Sequence, residues 1–282
     1  MIRGDKKDSD ILQGYCLLLA DNIEDVGTRF STVNIIQNTY LDLLRRIQFS
    51  LLGVAVHLEQ WPEMVKLKLP ISLAYRTALT DALTGLYLAT FHHDINAFQR
   101  ELMVLDLDYF RYVKTIVENT ALSMPGASQA DIDGEIQTRE AELYRKAEHL
   151  LQSPGGRQLQ GPAMIRQASD PQLFMVAGNI SKRLGEKEMF EQIKAHSDTR
   201  HLARMYLVQR HLSQQHHYAP ANSGFIQLDP AYDCRFWFES MVYLNEIAGA
   251  LAGLLEAPEP VLEKFRTAQA SLLAMLAGRA HS

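Results

Sequence analysis

The chain has 282 residues, of which 47% are hydrophobic and 22% charged, and its formal net charge is −5. The hydrophobic fraction excludes an intrinsically disordered protein. The chain also lacks the strong net basic charge that is typical of many nucleic-acid-binding proteins. The two cysteines are too few for a disulfide framework, so we predict a reducing, cytoplasmic compartment. The N-terminus MIRGDKKDSD is unlike a secretory signal, and no apolar run is long enough to cross a bilayer, so we expect no membrane contact.

The apolar residues recur with helical periodicity nearly throughout the first half of the chain. The first predicted helix begins with Ser31 as its N-cap and ends near Trp61-Pro62. A second helix begins at Pro70, and a third covers the region of Leu102 to Ile116. Apolar stripes at three- and four-residue steps define these helices: Val33, Ile36, Tyr40, Leu43, Ile47, Leu51 and Val54, then Leu73, Leu83 and Tyr87, then Leu102, Leu105, Tyr109, Tyr112 and Ile116.

A charged helix is predicted next, beginning at a capping box formed by Ser128 and Asp131 and ending near Leu151. Residues 131–148 hold six acidic and three basic side chains, and their apolar stripe is thin. We therefore expect residues 128–165 to form a helix and loop that project from the main bundle or lie on its surface.

The second half of the chain repeats the same helical pattern. Asp170-Pro171 predicts a helix start, a short helix covers about 186–196, and Asp198 caps a helix that ends near His217. Asp229-Pro230 begins a long helix to about Leu255, and a last helix ends near Ala277. Because no segment alternates with a two-residue period, we predict a single all-α domain over residues 1–282, with about eight to ten helices and no substantial sheet.

Several catalytic motifs are absent from the sequence. It contains no GxxxxGK[ST] or GxGxxG nucleotide loop, no HExxH or Glu-x-x-His metal pair and no GxSxG elbow. The adjacent His92 and His93 would point about 100° apart on a helix, so solvent exposure is a better interpretation than metal binding. We expect neither a metal nor another cofactor.

Charge is unevenly distributed, and residues 181–217 hold seven basic and four acidic side chains. RNA or another anionic ligand would meet the protein there. The alternative is that these charges form solvated helix faces, as charge runs usually do.

The segment YLVQRHLSQQHHY within that region combines an arginine, three histidines and a serine before a loop. Arg210 stands in Arg-x5-His spacing with His216 and in Arg-x6-His spacing with His217. A seven-residue step returns to within about 20° of the same helix face, so Arg210 and His217 would align on an unbroken helix.

This segment, together with the earlier helix PISLAYRTALTDALTGLYL, resembles the HEPN superfamily and its uncharacterised bacterial families, which carry Arg-x4-6-His on an all-helical bundle. The resemblance covers about 30–120 and 165–255. It implies a metal-independent ribonuclease, often assembled across a dimer, or a related non-catalytic module.

In the ribonuclease, Arg210 would hold the phosphate, His216 or His217 would move the proton, and His211 would assist. The surrounding residues Arg200, Arg204, Ser213 and Tyr218 would complete the binding site. The alternative for His216 and His217 is a C-terminal helix cap, which the general behaviour of histidine at helix ends favours.

Two further polar residues have structural roles in our interpretation. Arg76 lies on an otherwise apolar stripe, so we predict a buried ion pair with Asp81, or with Glu239 or Glu246. The aromatic residues of the helix at 230–255 predict a central position or a subunit interface, and we favour the core because aromatic residues at helical spacing ordinarily pack inside.

Two functions stay open. We favour a non-catalytic binding or dimerisation module of HEPN-like type, whose partner could be a second copy of the chain. The alternative is the ribonuclease that uses Arg210 with His216 or His217. The sequence does not decide whether the chain is an enzyme.

Overall fold

The computed structural model describes residues 2–30, 34–122, 126–146, 185–214 and 229–280. These residues form nine α-helices and no strand, as the periodicity predicted. The helices are α1 (Lys6–Gly27), α2 (Ile35–Leu58), α3 (Lys68–Ala89), α4 (Ile95–Leu122), α5 (Gln129–Lys146), α6 (Glu186–Ala195), α7 (Met205–Gln214), α8 (Pro230–Leu254) and α9 (Glu259–Ala280). No helix in this part of the chain is both long and apolar enough to span a membrane.

The described residues group into two compact units. One unit contains Met1–His93 and Glu186–Ser282, and the other contains Asp94–Gly185. The first unit holds α1, α2, α3 and α6 to α9, whereas α4 packs against α5 in the second. The prediction of a single domain with an excursion over 128–165 extends to residues outside the described ranges.

Two of the predicted helix starts are confirmed by their capping contacts. The Ser128 hydroxyl donates to the Asp131 carboxylate at 2.6 Å, and the Asp131 amide donates back to the Ser128 oxygen at 3.2 Å. The Asp229 carboxylate accepts from the Tyr232 amide at 3.1 Å and so caps α8. Both caps are local in sequence, which is why the sequence alone could locate them.

Two other predicted starts are wrong. The N-cap of α2 is Asn34, which exchanges capping bonds with Gln37, and Ser31 lies outside the described residues. Asp198 does not cap a helix; its carboxylate accepts from the Ser197 hydroxyl at 2.8 Å. A short 3-10 turn at Arg200–Leu202 separates that region from α7.

The sequence analysis missed α1 altogether, although its buried residues recur at helical steps: Leu12, Cys16, Leu19, Ile23 and Val26. This helix runs antiparallel to α2, because Gln13 Nε2 donates to the Ala55 carbonyl at 3.1 Å while Gln48 Nε2 donates to the Ala20 carbonyl at 3.2 Å. The pair forms one wall of the first unit.

The core of the first unit centres on α3 and α8, as the aromatic residues of α8 predicted. The fully buried Trp237 of α8 donates from Nε1 to the Ser72 hydroxyl of α3 at 3.1 Å. Trp61 packs edge-on against Trp237 with ring centroids 5.0 Å apart. Together these rings fix the approach of α8 to α3, on which α6 and α7 also pack.

The apolar stripe predicted for α4 is only partly buried. Val104 is buried, but Tyr109, Tyr112 and Ile116 are exposed. Helical periodicity therefore located α4 correctly, while it did not determine which of its apolar residues are covered.

Candidate functional site

The short helix α7 positions the described part of the predicted catalytic segment. Its buried face consists of Met205, Val208 and Leu212, at three- and four-residue steps. Gln209 is also buried and donates from Nε2 to the Thr80 hydroxyl of α3 at 3.1 Å. These contacts fix the rotation of α7 and hence the direction of every other side chain on it.

Arg210 lies on the outward side of α7. Its side chain is exposed, and it forms no ion pair with any residue that the structure describes. Successive helix residues point about 100° apart, so Arg210 and His211 diverge. Arg210, predicted to bind the phosphate, and His211, predicted to assist catalysis, therefore do not lie on the same surface.

His211 lies against α8 instead. Its ring stacks on Phe236 with centroids 3.7 Å apart and an interplanar angle of 12°, and Tyr232 meets it edge-on at 5.5 Å. Burial, followed by the positive charge of Lys68, lowers the pKa of His211 below 6.5. The imidazole is therefore mainly neutral at pH 7 and packs as an aromatic ring.

The other predicted binding residues are dispersed. Ser213 is buried on the inner side of α7, where a ligand in solution does not reach it. Arg204 pairs with Glu239 of α8 at 3.4 Å, and Arg200 donates from Nε to the Lys194 carbonyl at 3.2 Å. His216, His217 and Tyr218 lie outside the described residues, so their predicted roles stay predictions.

Arg76 and Asp81 do not pair with each other, nor does Arg76 pair with Glu239 or Glu246. Arg76 is half-buried, and its guanidinium lies 3.9 Å from the Glu186 carboxylate of α6. Asp81 is buried and accepts from Arg46 of α2 at 2.8 Å. The predicted partners were wrong because α2 and α6 border these two sides of α3, which sequence spacing does not show.

Lys68 and Asp233 form a buried ion pair that the sequence analysis missed. Lys68 Nζ lies 2.9 Å from Asp233 Oδ1, and the side chains are 7% and 1% exposed. Burial raises the pKa of the Asp233 carboxyl, and Lys68 opposes that change. A lysine at the start of α3 gave no signal of its partner at the start of α8.

Neither cysteine is placed for nucleophilic chemistry. Cys16 and Cys234 are both buried and free. Burial raises the pKa of each thiol to about 12, so both are protonated at neutral pH. In the described part of the chain, no three His, Cys, Asp or Glu side chains converge as metal ligands.

An exposed apolar surface was also missed. Phe49, Leu52 and Val56 lie on the outward side of α2 and are 68%, 39% and 65% exposed. We call these three residues the outer stripe of α2. They fall outside the stripe that the sequence analysis assigned to this helix, and their steps of three and four residues are the signal that could have revealed them.

The outer stripe has a charge at each end, and the adjacent helix α1 also exposes a leucine. Leu17 of α1 is 43% exposed and lies between the two levels at which glutamine bonds join α1 to α2. Arg45 and Glu59 are exposed at the two ends of the stripe. Arg45 also pairs with Asp42 at 3.4 Å, one turn away on the same helix.

The chain matches no protein-family model, no curated protein and no solved structure. The resemblance to the HEPN superfamily therefore stays a prediction that rests on the quoted segments.

Proposed function

We propose that this chain is a non-catalytic helical module that forms a homodimer through the outer stripe of α2. The observation that carries the proposal is the exposure of Phe49, Leu52 and Val56 on one side of a single helix. Removing apolar surface from water lowers the free energy of the system. The outer stripe contributes in this way only if another surface covers it.

Charge favours a second copy of α2 as the covering surface. Arg45 precedes Leu52 by seven residues, and Glu59 follows Leu52 by seven. If two copies of α2 pack antiparallel about a two-fold axis at Leu52, Arg45 of each copy faces Glu59 of the other. A two-fold contact must be self-complementary in this way, because it pairs one patch with itself.

The apolar residues satisfy the same symmetry. A two-fold axis at Leu52 brings Phe49 of one copy level with position 55 of the other, one residue from Val56, so the large ring lies next to a smaller side chain twice. The outer stripe and Arg45 lie on the regular helix α2, and Glu59 is its C-cap residue.

Sedimentation equilibrium tests this proposal. We expect a dimer for the wild type and a dimer dissociation constant raised about a hundredfold or more for Phe49→Glu, because two unpaired carboxylates would enter the contact. Leu207→Glu is the matched control, since Leu207 of α7 is also an exposed apolar residue but lies outside the stripe. A monomeric wild type, or a Phe49→Glu variant that stays dimeric, would reject the proposal.

A charge exchange tests the orientation of the two copies. Arg45→Glu places like charges opposite each other at both ends and should weaken the dimer. Adding Glu59→Arg restores opposite charges and should recover it. If the double variant is as weak as the single one, the copies do not pack antiparallel about Leu52.

Arg210, which is exposed and forms no ion pair within the described ranges, supports the metal-independent ribonuclease as a second candidate. Cleavage of RNA in the presence of EDTA, lost in Arg210→Ala and retained in Arg235→Ala, would support it. Arg235 is the control because it is an exposed arginine of α8 that the hypothesis does not use. Absence of cleavage, or cleavage unchanged in Arg210→Ala, would reject it.

A further inference from the structure

A groove of about 480 Å³ lies between α8 and α9, apart from the outer stripe of α2. Two glycines of α8 shape it. A Cβ atom on Gly249 would lie 3.1 Å from the Phe265 Cβ, so the two helices are close there. A Cβ atom on Gly253 would meet no atom within 4 Å, so the groove opens one turn later.

The walls of the groove are mostly apolar. Leu262, Phe265 and Leu273 of α9 line it, and Gly253 of α8 leaves it open. A volume of several hundred Å³ with apolar walls and a few polar groups is typical of small-molecule sites.

The polar side of the groove carries negative charge. Glu246 lines it, and its two carboxylate oxygens lie 3.3 Å from His201 Nε2 and 3.4 Å from Gln269 Nε2. Arg266 also lines the groove, but its guanidinium is bound by Glu259 and Glu263. Because Arg266 is held by these two carboxylates, Glu246 is the charged group of the lining that is placed to attract a cation.

Asn245 supplies a second, independent observation. It is buried in the lining of the groove, and its Nδ2 donates to the Phe265 carbonyl and to Gln269 Oε1, both at 2.9 Å. Its Oδ1 is buried and has no hydrogen-bond partner among the residues that the structure describes. A buried acceptor without a donor is costly, about 1–3 kcal/mol, so a ligand that brings an N–H group gains there.

We propose that the groove between α8 and α9 binds a small organic cation, a primary amine on an apolar body. The ammonium group lies between Glu246 and the Asn245 oxygen, and the apolar body packs against Phe265 and Leu262. This placement requires the Gln269 side chain, which accepts from Asn245 and donates to Glu246, to give up both bonds when the amine binds.

Isothermal titration calorimetry with three probes of one shape tests the ligand class. We expect saturable binding of 2-phenylethylamine and none of 2-phenylethanol or 3-phenylpropionate at the same millimolar concentrations. Failure of the amine to bind, or equal binding of the alcohol, would overturn the proposal.

Two variants place the binding in this groove. Glu246→Gln removes the charge that faces the ammonium and should weaken amine binding about tenfold or more. Gly253→Leu places a side chain where a Cβ atom meets nothing within 4 Å, so it should occupy the groove and abolish binding. Gly278→Leu is its matched control, because Gly278 of α9 also has open space around it and does not line the groove. Amine binding that survives Gly253→Leu would overturn the assignment.

Discussion

The outer stripe of α2 and the ion pair of Lys68 with Asp233 reverse the usual distribution of side chains. On α2, Phe49 and Val56 face solvent, whereas Lys68 and Asp233 lie inside the first unit. Lys68 and Asp233 satisfy each other's charge within the chain. The outer stripe has no cover among the described residues, and a second copy of the chain is the cover that we propose.

The two regions also differ in what a substitution should do. Removing one member of a buried pair leaves the other charge in an apolar surrounding, which destabilises the fold. Removing an exposed apolar side chain barely changes the fold but removes contact area for a partner. Stability and association should therefore respond separately.

The largest effect is expected for Lys68→Met. This change leaves Asp233, 1% exposed, without its cation, so we expect the free energy of unfolding to fall by about 3–5 kcal/mol. Urea denaturation measures it. Lys68→Met combined with Asp233→Leu should recover most of the loss, and a double variant as unstable as the single one would contradict this explanation.

Two neighbouring leucines of α2 separate stability from association. Leu51 is fully buried and Leu52 is partly exposed. Leu51→Ala should lower the free energy of unfolding by about 2–5 kcal/mol, because it leaves a cavity. Leu52→Ala should change it by about 0.5 kcal/mol or less, when measured on the monomer, while weakening the dimer. Equal losses of stability in the two variants would contradict the difference in burial.

The ion pair of Arg46 with Asp81 should have an intermediate effect. Asp81 is buried, but Arg46 is 63% exposed, so solvent screens the pair. Arg46→Met should cost about 1 kcal/mol, clearly less than Lys68→Met. Urea denaturation of both variants under the same conditions gives the comparison, and an equal cost would show that exposure of the cation does not matter.

The smallest effect concerns pH. Burial and Lys68 lower the pKa of His211 from 6.5 in the folded chain, so below pH 6.5 the unfolded chain binds a proton that the folded chain lacks. The contribution of His211 to stability is therefore full above pH 6.5 and is lost as pH falls toward the folded pKa. One proton limits the slope to about 1.4 kcal/mol per pH unit.

The His211→Phe variant isolates this contribution, because phenylalanine keeps a ring against Phe236 and does not titrate. Urea denaturation of both proteins at several pH values should give a shallower decline for the variant below pH 6.5. Identical slopes would show that His211 is not the group responsible.

Part of the candidate site was predictable and part was not. The divergence of Arg210 and His211 follows from the 100° step of any helix. The stacking of His211 on Phe236 depends on the packing of α7 against α8, which the sequence does not contain. The outer stripe was visible as periodic apolar residues, but its exposure depends on where α1 and α3 pack against α2.

The helical class and the caps at Ser128 and Asp229 follow directly from the amino-acid pattern, because periodicity and capping act over a few neighbouring residues. Tertiary structure alone decided that Lys68 meets Asp233, that Asp81 meets Arg46 rather than Arg76, and that the outer stripe faces solvent. Those outcomes depend on which helices become neighbours, and neighbours distant in the chain are chosen by the packing of whole helix faces.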